Sequence, residues 1–224
     1  MSIPPQFQCG DAPLEGDALV LQVDQLKKLL SDGAKFNSPL EIEAVSAEVV
    51  GGHLVAVGRN VGVSKQFIRA ATRLALSVDD LDILCLFFPD LHRAWRRRIE
   101  LGLDGDFGLY LSRLSLQLVP KCAESWSFRR SLLPDKTGQV PAHAVVAEWP
   151  IIYAAATAHK CNYYAWEHAR WLLAHTQQYD FDVFVAFMKS HVTDCSVFSF
   201  ATFLVRRFPT RLIQFLELAS DLTR

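Results

Sequence analysis

Residues 64–102 read SKQFIRAATRLALSVDDLDILCLFFPDLHRAWRRRIELG. This stretch decides the fold class. Phe67, Ile68, Ala71, Leu74 and Ala75 recur at helical spacing after Ser64, a residue type that caps helix N-termini. Ser77 is expected to cap a second helix, with Asp79 and Asp80 in its first turn, where the helix dipole favours acids. That helix ends at Pro89, and LHRAWRRRIELGL carries a third to about Gly102.

The same pattern extends both ways. Leu19, Val23, Leu26, Leu29 and Leu30 mark a helix from Asp17 that closes at Gly33. Ser38-Pro39 opens a helix in which Leu40, Ile42, Ala44 and Val45 face inward, interrupted at Gly51-Gly52. Further helices are predicted at 107–119, 142–159, 163–177, 181–191, 196–207 and 210–222, with Pro150 kinking or dividing the first of the C-terminal set. Only 50–61 and 136–147 have strand character. The expected fold is therefore all-α: many short helices, as an irregular helical bundle or a helix-pair stack. Residues 1–16 read as a flexible lead-in and 17–224 as one helical domain. The loop-like run at 121–141, with Pro134, Gly138 and Pro141, is the place where it can subdivide.

A segment of this region resembles a known family. QLKKLLSDGAKFNSPLEIEA, residues 25–44, is similar to an ankyrin repeat: Leu29-Leu30, Gly33-Ala34, Asn37 and Pro39-Leu40 sit where that family has its LL, GA, N and PL. Gly52-His53-Leu54 resembles the start of its second helix, and residues 154–175 have an AA, an AH and a WLL in similar order. The spacing from Leu40 to Gly52 is longer than that pattern, and no 33-residue period runs through 60–145. The resemblance implies a degenerate α-solenoid that binds proteins without catalysis.

Composition removes several function classes. The 224 residues carry a formal net charge of −1, so no global bias toward nucleic acid or acidic membranes exists. Locally, residues 1–60 hold four basic against eight acidic residues, and 91–130 the reverse proportion, eight against four. Five widely spaced cysteines, without CxxC, argue against a disulfide framework and for an intracellular location, cytoplasm or nucleus. The N-terminus lacks the design of a signal peptide, and no apolar run is long enough for a membrane span.

The residues that carry chemistry point to binding. No GxSxG, GxGxxG or GxxxxGK[ST] occurs, so no catalytic residue, cofactor or metal is assigned and no enzyme activity is expected. The basic run His92 to Arg98 is the most prominent polar feature. Arg93, Arg96 and Arg97, with Arg129 and Arg130, are the expected contacts to another protein with an acidic surface. Nucleic acid is the alternative partner for the 92–98 ridge, with Trp95 either stacking on a base or anchoring the core. A loose likeness of 62–76 to a DNA-recognition helix lacks a matching first helix upstream.

The other alternative is a metal or catalytic site among His159, Cys161, His168, His175, His191 and Cys195. Asp194 is expected to cap a new helix and so break the His191–Cys195 pair. The aromatic C-terminal third, from Tyr163 to Phe215, reads mainly as core, with a partner or a second copy of the chain as alternative cover.

Overall fold

The computed structural model describes residues 16–35, 40–45, 53–103, 105–176 and 179–211. The lead-in up to residue 15, the Ser38-Pro39 and Gly51-Gly52 signals and the helix expected at 210–222 lie outside these, apart from a 3-10 turn at Pro209–Arg211. Ten α-helices and three short strands occur among the described residues. The fold is all-α and of helical-repeat type. No described helix is long and apolar enough to cross a membrane.

The chain forms two compact units, Met1–Arg129 and Arg130–Arg224. In the first unit, α1 (Gly16–Lys35) is followed by β1 (Glu41–Val45), β2 (Leu54–Val57), β3 (Asn60–Ser64), α2 (Lys65–Val78), α3 (Leu81–Phe87), α4 (His92–Glu100) and α5 (Gly105–Leu118). Helix α6 (Ala123–Leu132) carries the chain into the second unit. There α7 (Ala142–Ala158), α8 (Tyr163–His175), α9 (Phe181–Ser190) and α10 (Cys195–Arg207) follow.

Residues 41–45 correct the helix expected after Pro39. They form a strand, parallel to β3, in a sheet of order β1-β3-β2 whose β2–β3 pair is antiparallel. Leu40 and Ile42 are buried while Glu41 and Glu43 are exposed, which is the two-residue period of a strand. The edge of β1 is not left open, because the Ile42 N–H donates to the Gln117 side chain of α5 at 2.9 Å. Gly58 adopts φ +62 in the two-residue turn between β2 and β3. The strands at Glu41–Val45 and Leu54–Val57 stand where the ankyrin resemblance implies helix.

Ser64 caps α2, its Oγ accepting from the Phe67 N–H at 3.0 Å. The next boundary differs from expectation. Ser77 stays inside α2, Asp79 ends it in the left-handed region at φ 53, and Asp80 caps α3. Gly33 is not a terminator either. It is buried inside α1, where a Cβ would collide with the Tyr110 hydroxyl of α5 and sit 3.0 Å from Leu40 Cγ. Helix α7 runs unbroken through Pro150, and 142–147 is helix without strand. Pro150 removes the donor that Val146 would otherwise receive, and Val146 is exposed. Residues 123–132, part of the expected 121–141 loop, form α6. The turn lies at Asp135–Gln139, closed by the Asp135 carboxylate accepting from Thr137 and Gln139.

A recurring device holds two of these helices, and a third keeps its tryptophan without the bond. Trp95 in α4 and Trp126 in α6 each donate their indole N–H to the proline carbonyl six residues earlier, Pro89 at 2.7 Å and Pro120 at 3.1 Å. Trp166 occupies the same place in α8, six residues after Lys160, and its indole N–H is buried without a hydrogen bond. Three residues beyond each tryptophan, Arg98, Arg129 and Ala169 are buried. Each of these helices follows another closely: α3 precedes α4, α5 precedes α6, and α7 precedes α8. This is a degenerate helix-pair repeat.

Candidate interaction surface

The basic run lies on α4, and the helix divides it. Residues three apart share a face, so Trp95 and Arg98 turn inward together. Trp95 packs on Phe128 with ring centroids 4.5 Å apart. Arg98 is buried, paired with the Asp82 carboxylate and lying over the Phe107 ring. Arg93, Arg96 and Arg97 point outward. Glu100 faces two of them, 3.3 Å from Arg96 and 3.4 Å from Arg97. Arg93 has no ion-pair partner among the described residues. His92 pairs with Glu124 at 2.9 Å. Ile99, Leu101 and Leu103, at and just beyond the end of the helix, are 43–52% exposed. Exposed arginines beside exposed aliphatic residues resemble the composition of protein interfaces.

Arg129 departs from the expected surface. It is 3% exposed, and its guanidinium donates to the Leu109 carbonyl at 2.6 Å and to Ser112 Oγ at 2.8 Å. It therefore braces α6 against α5, and a surface partner has no access to it. Arg130 is half-buried in the second unit. Burial lowers its pKa below the usual guanidinium value, against the opposing pull of Glu167.

The histidines of the second unit disperse. His168 is fully buried and bonds Glu148 of α7 at 2.9 Å, a buried polar pair between α7 and α8. His175 bonds the Trp171 carbonyl, His159 the Lys160 carbonyl, and His191 stacks on Phe187 with centroids 3.9 Å apart. Helix α9 ends at Ser190 and Asp194 caps α10, so His191 and Cys195 share no helix.

Two thiols do converge. Cys161 Sγ and Cys195 Sγ are 3.3 Å apart, and ligand atoms of Cys161, Asp194 and Cys195 lie within 4.8 Å of one another. Asp194 is already committed. One oxygen accepts from Ser196 N and Oγ at 2.8 and 2.6 Å, the other from the Cys161 N–H at 2.9 Å. Both cysteines stand among the residues named from the sequence, but helical spacing relates only neighbours within one helix and does not join them.

The aromatic third is largely core. Trp166, Phe184 and Phe200 are fully buried, and Trp166 stacks on Phe200 at 4.8 Å. A cleft of about 690 Å³ opens between α7 and the start of α9, lined by Trp149, Tyr153, Tyr179 and Phe181 with Asp180 and Asp182 at its rim. Burial pushes the Tyr153 hydroxyl up to about 12, so this phenol stays protonated.

Known proteins are similar in sequence to this chain over more than half of its length. Protein prenyltransferase alpha subunit repeat-containing protein 1 of Homo sapiens is 29% identical over 164 residues, covering 58% of this chain and 41% of that protein. The 1-B protein of Xenopus laevis is 27% identical over 176 residues, covering 64% and 41%. The Danio rerio protein is 28% identical over 165 residues, covering 60% and 39%. The chain thus spans about two fifths of the length of the curated relatives it matches. No protein-family model matches it. The relatives are named for a repeat, in keeping with the recurring Trp95, Trp126 and Trp166 helices. Their name speaks of a prenyltransferase alpha-subunit repeat, and ankyrin does not appear in it.

Proposed function

We propose that this chain is a non-enzymatic helical-repeat module that binds another protein, with repeats of the prenyltransferase alpha-subunit kind in place of ankyrin repeats. The observation that carries the proposal is the outer face of α4. Arg93, Arg96 and Arg97 are exposed there, next to exposed Ile99, Leu101 and Leu103, on a helix fixed from behind by Trp95 and Arg98. The relatives' name supports it, since it refers to repeats of a subunit, a chain that works with another. The partner presents an acidic rim around an apolar spot, because that complements both halves of the surface. A second reading, nucleic acid on the same ridge, is weaker: Glu100 offsets two of the three arginines, and the aliphatic trio adds nothing to phosphate binding. The reducing interior of the cell is the proposed setting, from the odd and scattered cysteines.

The test is capture of the partner from the native cell, followed by affinity measurement with R93E/R96E/R97E. Affinity is expected to fall by roughly tenfold or more. Unchanged binding by the triple variant rejects α4 as the contact. Capture of nucleic acid alone, with affinity falling steeply as salt rises, selects the second reading.

A further inference from the structure

Cys161 and Cys195 meet at the N-termini of two packed helices, on opposite sides of the caps. Cys161 immediately precedes Asn162, the cap of α8, and Cys195 immediately follows Asp194, the cap of α10. Helices α8 and α10 pack together. The Asp194 carboxylate clamps the pair: it takes the Cys161 backbone N–H on one oxygen and the α10 N-terminus on the other. Cys161 is held with φ +57, a left-handed conformation rare for a residue with a side chain. The two sulfurs are 3.3 Å apart, one exposed and the other partly exposed. The Tyr163 hydroxyl lies 3.3 Å from Cys195 Sγ.

We propose that Cys161 and Cys195 form a thiol–disulfide exchange site that reacts with low-molecular-weight disulfides and closes into a reversible link between α8 and α10. The roles of the two thiols differ. Hydrogen bonds from Tyr163 and then from Cys161 lower the Cys195 pKa, and its place in the first turn of α10 acts in the same direction. Cys161 moves the other way, because its hydrogen bond to Cys195 holds its proton. Cys195 therefore attacks and Cys161 resolves.

Cys195 releases its proton and its thiolate attacks one sulfur of the small disulfide. The S–S bond breaks, one small thiolate leaves and takes up a proton, and a mixed disulfide forms on Cys195. Cys161 then loses its proton and attacks Cys195 Sγ, and the second small thiolate leaves and is protonated. Two cysteine thiols are oxidised to one disulfide, and the small disulfide is reduced to two thiols. Buried Cys85 and Cys122 take no part, since burial raises both thiols and hides them.

The experiment exposes the full chain, freed of metal, to oxidised glutathione and maps the modified peptides by mass spectrometry. The expected product is a Cys161–Cys195 link without retained glutathione. Cys161→Ser is expected to trap glutathione on Cys195. Tyr163→Phe is expected to slow the first step several-fold. A stable glutathione adduct on Cys195 of the unaltered chain overturns the proposal, as does reaction of Cys195 no faster than in the denatured chain. A parallel incubation with zinc alone adds a separate check: stoichiometric binding that protects both thiols would make the pair a metal site instead.

Discussion

Arginine serves opposite ends in this chain: Arg98 and Arg129 are buried, whereas Arg93, Arg96 and Arg97 are exposed. Both buried arginines follow a tryptophan by three residues, and both are turned into the protein, Arg98 toward the Asp82 carboxylate and Arg129 toward the Leu109 carbonyl and Ser112 hydroxyl. Arg129→Met is expected to destabilise the chain by about 2–4 kcal/mol, because the Leu109 carbonyl and Ser112 hydroxyl lose a charged donor in a buried setting. Arg97→Glu, at an exposed position, should change stability by no more than about 0.5 kcal/mol. Urea denaturation of the two variants checks the contrast. The tryptophans offer a second comparison. Trp126→Phe removes an indole hydrogen bond as well as volume, whereas Trp166→Phe removes volume and a buried N–H that makes no hydrogen bond. Trp126→Phe should therefore cost about 1 kcal/mol more; equal costs would remove the indole–carbonyl bond as a stabilising feature of the repeat.

At the scale of elements, caps and close contacts set the boundaries. Alanine is a better helix former than glycine by about 1 kcal/mol, so propensity alone favours Gly33→Ala. The contact of α1 with Tyr110 reverses the sign, and a net loss of about 1–3 kcal/mol is expected. Combining it with Tyr110→Phe should recover part of that loss in thermal unfolding. Asp194 governs the start of α10. Burial by itself would raise its carboxyl, but hydrogen bonds from the Ser196 side chain and from the Cys161, Ser196 and Val197 amides outweigh burial and hold it below the usual aspartate range. A lowered folded pKa contributes stability that is present above the unfolded value of about 3.9 and is lost as pH falls through the folded one. Asp194→Asn should thus flatten the acid limb of the stability curve; an unaltered limb would show that this carboxylate is not linked to unfolding.

For the whole molecule, a net charge of −1 conceals an exposed positive ridge on α4. If this ridge docks an acidic partner, affinity should fall as ionic strength rises from ~0.05 M to ~0.3 M, because screening shortens the range of exposed charges. R93E/R96E/R97E should lose both the affinity and most of that salt dependence, with only a small drop in melting temperature from the lost Glu100 pairs. A salt dependence retained in full by the variant would place the charged contact elsewhere. The apolar neighbours Ile99 and Leu103 should contribute a part of the affinity that salt leaves untouched.

The helical class, the Ser64 and Asp194 caps and the basic face of α4 follow from local sequence, because period and capping depend on residues within one or two turns. The tryptophan repeat is also written in the sequence, as a proline six residues before Trp95 and Trp126 and an arginine three after. That residues 41–45 pair with β3 as a strand depends on the folded chain, since the partner that stabilises a strand lies outside its own segment. The folded chain also decides which arginines are buried, that His168 meets Glu148, and that Cys161 meets Cys195 across 34 residues. Those contacts follow from how helices pack on one another, and no local period encodes them.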